Sequence, residues 1–147
     1  MILKPLHVSP KILHKRLVMS LISHLDHLVL TVKNIERSCA FYTAVLQMEE
    51  VDFKGRKALK FGHSKINLHQ VGHEFEPKAN TPTSGSADVC FITLMPIEAF
   101  KTHLQTCGVS CLEGPIKRTG ARSELLSVYF RDPDGNLIEV ANELPYM

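Results

Sequence analysis

The sequence contains no Cys-x-x-Cys pair. Its four cysteines, Cys39, Cys90, Cys107 and Cys111, therefore suggest neither a zinc knuckle nor a dithiol redox motif, and reduced thiols are expected. No apolar run approaches the roughly 18 residues of a membrane-spanning helix. Net charge is only +2 with histidine neutral, and no basic block is interleaved with aromatics. That balance argues against a nucleic-acid surface. Acid is missing from the first 25 residues, where Lys4, Lys11, Lys15 and Arg16 stand and Asp26 is the first carboxylate. What remains is ordinary for a soluble domain: 147 residues, 44% hydrophobic and 22% charged, enough to enclose a sizeable core.

The acid-free stretch 1–24 is set apart from the fold. Ile12, Leu13, Leu17, Val18, Leu21 and Ile22 fall near helical spacing, so a basic amphipathic helix is expected there. Such a leader resembles a mitochondrial presequence, and a short disordered extension reads the same way. The location is thus expected to be cytoplasmic, or mitochondrial through this leader.

From Leu25 a rhythm begins. Leu25 to Val32 alternates as a strand, with His27, Val29 and Thr31 on one face and Leu28, Leu30 and Val32 on the other. Asn34 is a good N-cap for a helix over 35–46, whose stripe is Ile35, Cys39, Tyr42 and Leu46. Strands are expected at 49–53, 57–61 and 65–71. The segment 72–86, with Pro77 and Pro82, reads as a linker. Then the pattern restarts: a strand at 87–94, a helix with Ile97, Phe100 and Leu104 ending at Gly108, and strands at 110–113, 125–131 and 136–142.

Each half thus reads βαβββ, and the halves register. His27 and Asp88 are 61 positions apart, as are Leu46 and Cys107. At the far ends His69 follows Phe61 much as Glu139 follows Phe130, which pairs His69 with Glu139. A repeat of this size speaks to architecture. It leaves four polar residues on corresponding strands: His27 and Asp88 on the first, His69 and Glu139 on the last. Glu139 lies inside the stretch RDPDGNLIEVAN, where a Pro-Asp-Gly turn leads into an apolar strand. A carboxylate there is either a half-exposed strand residue or a group aimed at a shared cavity, where it ligates a metal or moves a proton.

Three stretches together resemble the vicinal oxygen chelate superfamily, the group of glyoxalase I, fosfomycin-resistance proteins and extradiol dioxygenases: Asp26–Val32, Phe41–Leu46 and Phe130–Glu139. The resemblance covers about 25–143. Asn67–Gln70, Phe75–Ala79 and Gly114–Ala121 are similar to a narrower glyoxalase-domain group within it. The resemblance implies an α+β fold of two tandem βαβββ modules (25–71 and 87–143) in an open curved sheet. It also implies a divalent metal (Zn, Mn, Fe, Co or Ni) held by His27, His69 and Glu139, with Asp88 in a fourth place where several members have histidine. Glu139 is then the first candidate for proton transfer. Lys78, Lys117 and Arg118, in loops over the cavity, are candidates for substrate binding, with Arg118 holding a substrate carboxylate or phosphate through its planar fork. A homodimer with shared sites is implied, with a small-molecule substrate and no nucleic-acid or membrane partner.

Two imidazoles with one or two carboxylates suit the later first-row divalent ions, and spacing does not choose among them. Three functions follow. The favoured one is a glyoxalase-like, metal-dependent lyase or isomerase acting on a small carbonyl or oxyanion compound chelated through adjacent oxygens. The others are an extradiol-type dioxygenase and a non-enzymatic ligand-binding module of the same fold.

Overall fold

The computed structural model describes residues 20–145. Most of the expected basic helix lies outside these residues, and 20–24 run as exposed chain. The order of elements is β1 (His27–Val32), α1 (Ile35–Leu46), β2 (Glu49–Phe53), β3 (Arg56–Phe61) and β4 (Ser64–Gln70), followed by β5 (Asp88–Ile92), α2 (Ile97–Thr106), β6 (Glu113–Thr119), β7 (Glu124–Arg131) and β8 (Leu137–Glu143). These are two βαβββ modules, as the repeat predicts.

Local chemistry sets the helices. Asn34 is extended and its Oδ1 accepts the Arg37 N–H at 2.8 Å, capping α1. Cys39, Tyr42 and Val45 give α1 its buried stripe, and Ile97, Phe100 and Leu104 give α2 the same. Pro96 holds the N-cap position of α2, where its missing N–H costs nothing.

Each module forms one four-stranded sheet, in the orders β1-β4-β3-β2 and β5-β8-β7-β6. In both, the first and last strands of the module pair in parallel and the rest antiparallel. Helices lie on one face of each sheet, and those two faces share a single core. Leu30, Val32, Ile66 and Leu68 meet it from the first sheet, Val128, Phe130, Ile138 and Val140 from the second, with Tyr42 and Phe100 from the helices. Burying one such side chain from water is worth about 1.5–3 kcal/mol. The other face of each sheet points away from this core, and on it lie His27 and Glu139.

One turn ties the modules together. Asp132 Oδ1 accepts the N–H groups of Asp134 and Asn136, each at 2.9 Å. Its Oδ2 accepts the Tyr42 hydroxyl at 2.8 Å and the Asn136 side-chain amide at 2.7 Å. Asp134 Oδ1 accepts the Lys33 N–H at 2.9 Å. The Pro-Asp-Gly turn of the second module is thereby bolted to the start and middle of α1.

The strand expected at 110–113 is the main difference. It runs instead over Glu113–Thr119, through Gly114 and Pro115. That dipeptide reads as a breaker in sequence, but β6 is an edge strand, where a missing N–H is tolerated, and its register with β7 shifts between Glu113 and Ile116. Gly114 has φ 110°, and a Cβ there would stand 2.3 Å from Ser127 O, so only glycine lets the strands approach. Lys117 and Arg118 consequently sit on a strand and not in a loop.

Candidate metal centre and its surroundings

Strand register decides which polar groups can work together. In the second module Cys90 is the cross-strand partner of Glu139, and Asp88, two residues before Cys90, lies diagonal to it on the same face. In the first module the corresponding partners are Val29 and Asn67, with His27 diagonal to Asn67. The counterpart of Glu139 is therefore Asn67. His69 is the partner of Thr31, one step further along, and its counterpart is Ala141. The pairing of His69 with Glu139 expected from sequence is corrected by this register.

Burial marks the same two positions, together with Ser127 on β7, whose Oγ is likewise buried and unpartnered among the described residues. Asn67 Oδ1 and Glu139 Oε1 are both buried with no hydrogen-bond partner among the described residues. An orphaned buried oxygen costs about 1–3 kcal/mol. Two of them at equivalent positions mark a place where both modules present an acceptor to something else. Within one chain, no group of three or more metal-ligating His, Cys, Asp or Glu side chains comes together among the described residues. The single chain thus holds two half-sets, His27 with Asn67 and Asp88 with Glu139, each on the face its sheet turns away from the core.

Several neighbours of Glu139 were not legible as site residues. Tyr129 is its partner on β7, and the Tyr129 hydroxyl accepts Arg118 Nε–H at 3.2 Å. Arg118 also pairs with Glu113 at 3.1 Å. Burial raises the Tyr129 phenol while the Arg118 bond opposes it. Burial first, and Glu139 second, push the Cys90 thiol up to about 12, so Cys90 is no activated nucleophile. Arg118 therefore does join the surroundings of Glu139. Lys117 does not: its register partner is Leu126, on the opposite face of the strand.

On the first module the segment after β4 returns over the outward face of the sheet. A cavity of about 230 Å³ lies beneath it, with Val29, Thr31 and His69 among the sheet residues lining it and Pro77, Lys78 and Ala79 among those of the segment. Lys78 and His69 thus share a cavity, as a substrate-binding lysine would require. His69 is 8% exposed and meets Phe75 edge-on at 5.5 Å. Burial chiefly, and the Arg56 charge next, hold its imidazole below the ordinary range. At the start of β1, His27 is half exposed and its Nδ1 lies 2.7 Å from Asp26 Oδ1, a carboxylate placed to fix the ring and leave Nε2 available.

Comparison with known proteins gives the family and the fold. Residues 24–140 match the family model described as Glyoxalase/Bleomycin resistance protein/Dioxygenase superfamily. The chain is 52% identical over 134 residues to the virulence protein STM3117 of Salmonella typhimurium, covering 90% of this chain and 93% of that one. The crystal structure of STM3117 superposes with a TM-score of 0.83 over 85% of this chain and all (100%) of the other. Glyoxalase domain-containing protein RDO1 of Mycosarcoma maydis is 53% identical over 119 residues, 80% of this chain and 67% of its own. At 20% identity, the fosfomycin resistance protein FosX of Listeria monocytogenes, solved with Mn(II) and sulfate, shares the fold with a TM-score of 0.59 over 84% of this chain and 92% of its own.

Proposed function

For a chain that belongs to the glyoxalase/bleomycin resistance protein/dioxygenase superfamily, we propose a divalent-metal-dependent lyase or isomerase. Its substrate is a small carbonyl or oxyanion compound that chelates through adjacent oxygens. The observation that carries this reading is the matched pair of orphaned buried oxygens, Asn67 Oδ1 and Glu139 Oε1, each beside a ligand-type residue, His27 or Asp88. One imidazole, two carboxylates and an amide oxygen form a donor set that fits a first-row divalent ion. The FosX structure makes Mn²⁺ the first ion to test.

The site is assembled from two copies of the chain. Among the described residues β1 and β5 are each paired on one side only, so both are sheet edges. Beside those edges are exposed apolar side chains: Leu25, Val29, Ile92, Leu94 and Met95. Joining the first module of one protomer to the second module of its partner covers these edges, and it brings His27 and Asn67 to the partner's Asp88 and Glu139. Two-fold symmetry gives two such sites.

A divalent ion held by His27, Asn67, Asp88 and Glu139 would supply Lewis acidity, lowering the pKa of a nearby substrate proton or water. The protein does the rest. Glu139 is the carboxylate placed to move a proton between adjacent substrate atoms. The Tyr129 hydroxyl, held by Arg118, donates to the substrate oxygen that gains charge. The substrate's carbon skeleton rests on Val29 and the apolar residues Pro77 and Ala79 of the adjoining cavity.

Elemental analysis of protein purified without chelators tests the reading, followed by a thermal-shift screen of small 2-oxo and 2-hydroxy compounds with the metal-loaded protein. Stoichiometric metal and turnover without oxygen uptake are expected. Turnover that consumes oxygen would move the assignment to a ring-opening dioxygenase, and tight binding without turnover to a ligand-sequestering protein.

A further inference from the structure

The cavity on the first module is built differently from the proposed metal centre. Its floor carries two polar side chains, Thr31 and His69, cross-strand partners on the outward face. Among the described residues, no hydrogen bond reaches the Thr31 hydroxyl or either ring nitrogen of His69, although His69 is buried. None of these atoms is sealed in the way that Asn67 Oδ1 and Glu139 Oε1 are, so all three remain accessible from the cavity. The rest of the lining, Val29, Pro77 and Ala79 included, is apolar apart from Lys78.

Lys78 is the cation of the cavity. Its Nζ lies 3.4 Å from Glu76 and 4.0 Å from Glu74. Neither contact occupies it firmly. The Glu76 side chain is 74% exposed, and such a pair is worth little in water. Glu74 is only 9% exposed, but its Oε1 accepts the Gly72 N–H at 3.1 Å and its Oε2 reaches Lys78 only at 4.0 Å. A second cation, Arg56, stacks 4.1 Å over Phe75, the ring that also abuts His69.

From this we infer that the cavity binds the anionic end of a small organic acid. Lys78 and a ring N–H of His69 hold the carboxylate, Thr31 adds a hydroxyl donor, and a short carbon chain packs on Val29, Pro77 and Ala79. His69 then acts in substrate recognition and is not a metal ligand. The inference rests on the function proposed above, since the same sheet face carries His27 and Asn67. It narrows the substrate class to acids that extend from this cavity toward the metal centre.

The test is an NMR chemical-shift titration of the full chain with butyrate, and with the uncharged butyramide as control. It is run on EDTA-treated protein and again with Mn²⁺. Butyrate should perturb the His69 and Lys78 signals with no metal present, and butyramide should not. Lys78→Met and His69→Leu, each checked for a native spectrum, should weaken butyrate by about tenfold or more. Mn²⁺ affinity should be unchanged in both. Butyrate binding only in the presence of Mn²⁺, or binding indifferent to Lys78→Met, would overturn the inference. So would loss of Mn²⁺ in His69→Leu, which would make His69 a ligand and leave the metal centre standing. If Mn²⁺ fails to bind while butyrate still binds through Lys78, the metal reading fails and the acid site stands.

Discussion

Asn67 and Glu139 hold the same register position in the two modules, and each buries a side-chain oxygen that has no hydrogen-bond partner among the described residues. In the proposed centre the two are paired acceptors, an amide and a carboxylate of unequal strength. Replacing Glu139 by Gln removes the stronger one. Metal affinity should fall by more than about 100-fold, beyond the usual range for an outer-shell partner. Asn67→Asp adds charge at the weaker position and should tighten Mn²⁺ by about tenfold. Titration of chelator-treated protein measures both. An unaltered affinity in Asn67→Asp would remove Asn67 from the centre.

Sharing of the site between protomers has its own signature. Neither His27→Ala nor Glu139→Gln alone should assemble an intact centre. After subunit exchange, a mixed dimer should contain one, formed by His27 of the second chain and Glu139 of the first. The mixed dimer should hold half the metal of the parent dimer, so a fully exchanged sample should recover about a quarter. No recovery after exchange verified by native mass spectrometry would place both half-sets in separate sites.

The correspondence of Asn67 with Glu139 was hidden in the sequence for a physical reason. Counting from Phe61 and Phe130 assumes equal turns before the last strands. In fact β3 and β4 are joined by two residues, Gly62 and His63, whereas 132–136 join β7 to β8. The longer turn exists because Asp132 folds back on Asp134 and Asn136. Only the parallel pairing with β1 and β5 reveals the true register. Features set by local chemistry were legible: the Asn34 cap, the stripes of α1 and α2, the outward alternation of His27, and the repeat itself. The course of β6 was not, because Gly-Pro is a break in most settings and is tolerated here by the edge position. Cys90 and Tyr129 carry no local signal, and their place beside Glu139 is purely a matter of strand pairing.

The end of α1 is strained. Gln47, its C-cap, adopts φ 53° and ψ 33°, a left-handed conformation that disfavours a side chain. Gln47→Gly should relieve about 1 kcal/mol of that strain and raise the thermal midpoint by about 3 °C. Differential scanning calorimetry reads it directly. An unchanged or lower midpoint would mean that the Gln47 side chain contributes packing that outweighs the backbone cost.

The link from α1 to the turn before Glu139 yields the last prediction. Tyr42 is fully buried, at 0% exposure, and burial raises its phenol so far that it remains a donor throughout the working pH range. Its one hydroxyl bond runs 2.8 Å to Asp132 Oδ2, across the boundary between the modules. Tyr42→Phe keeps the ring in the core and leaves that oxygen with the Asn136 amide alone. The expected loss is about 1–3 kcal/mol, a midpoint lower by several degrees. Asp132→Asn should cost more, because Asp132 also accepts two backbone N–H groups that shape the turn. If the cross-module bond is the common element, the two losses will not add. A double-mutant cycle should then return a coupling energy of about 1 kcal/mol. Simple additivity would show that Tyr42 stabilises the protein through packing alone, and that the turn carrying β8 is held by its own hydrogen bonds.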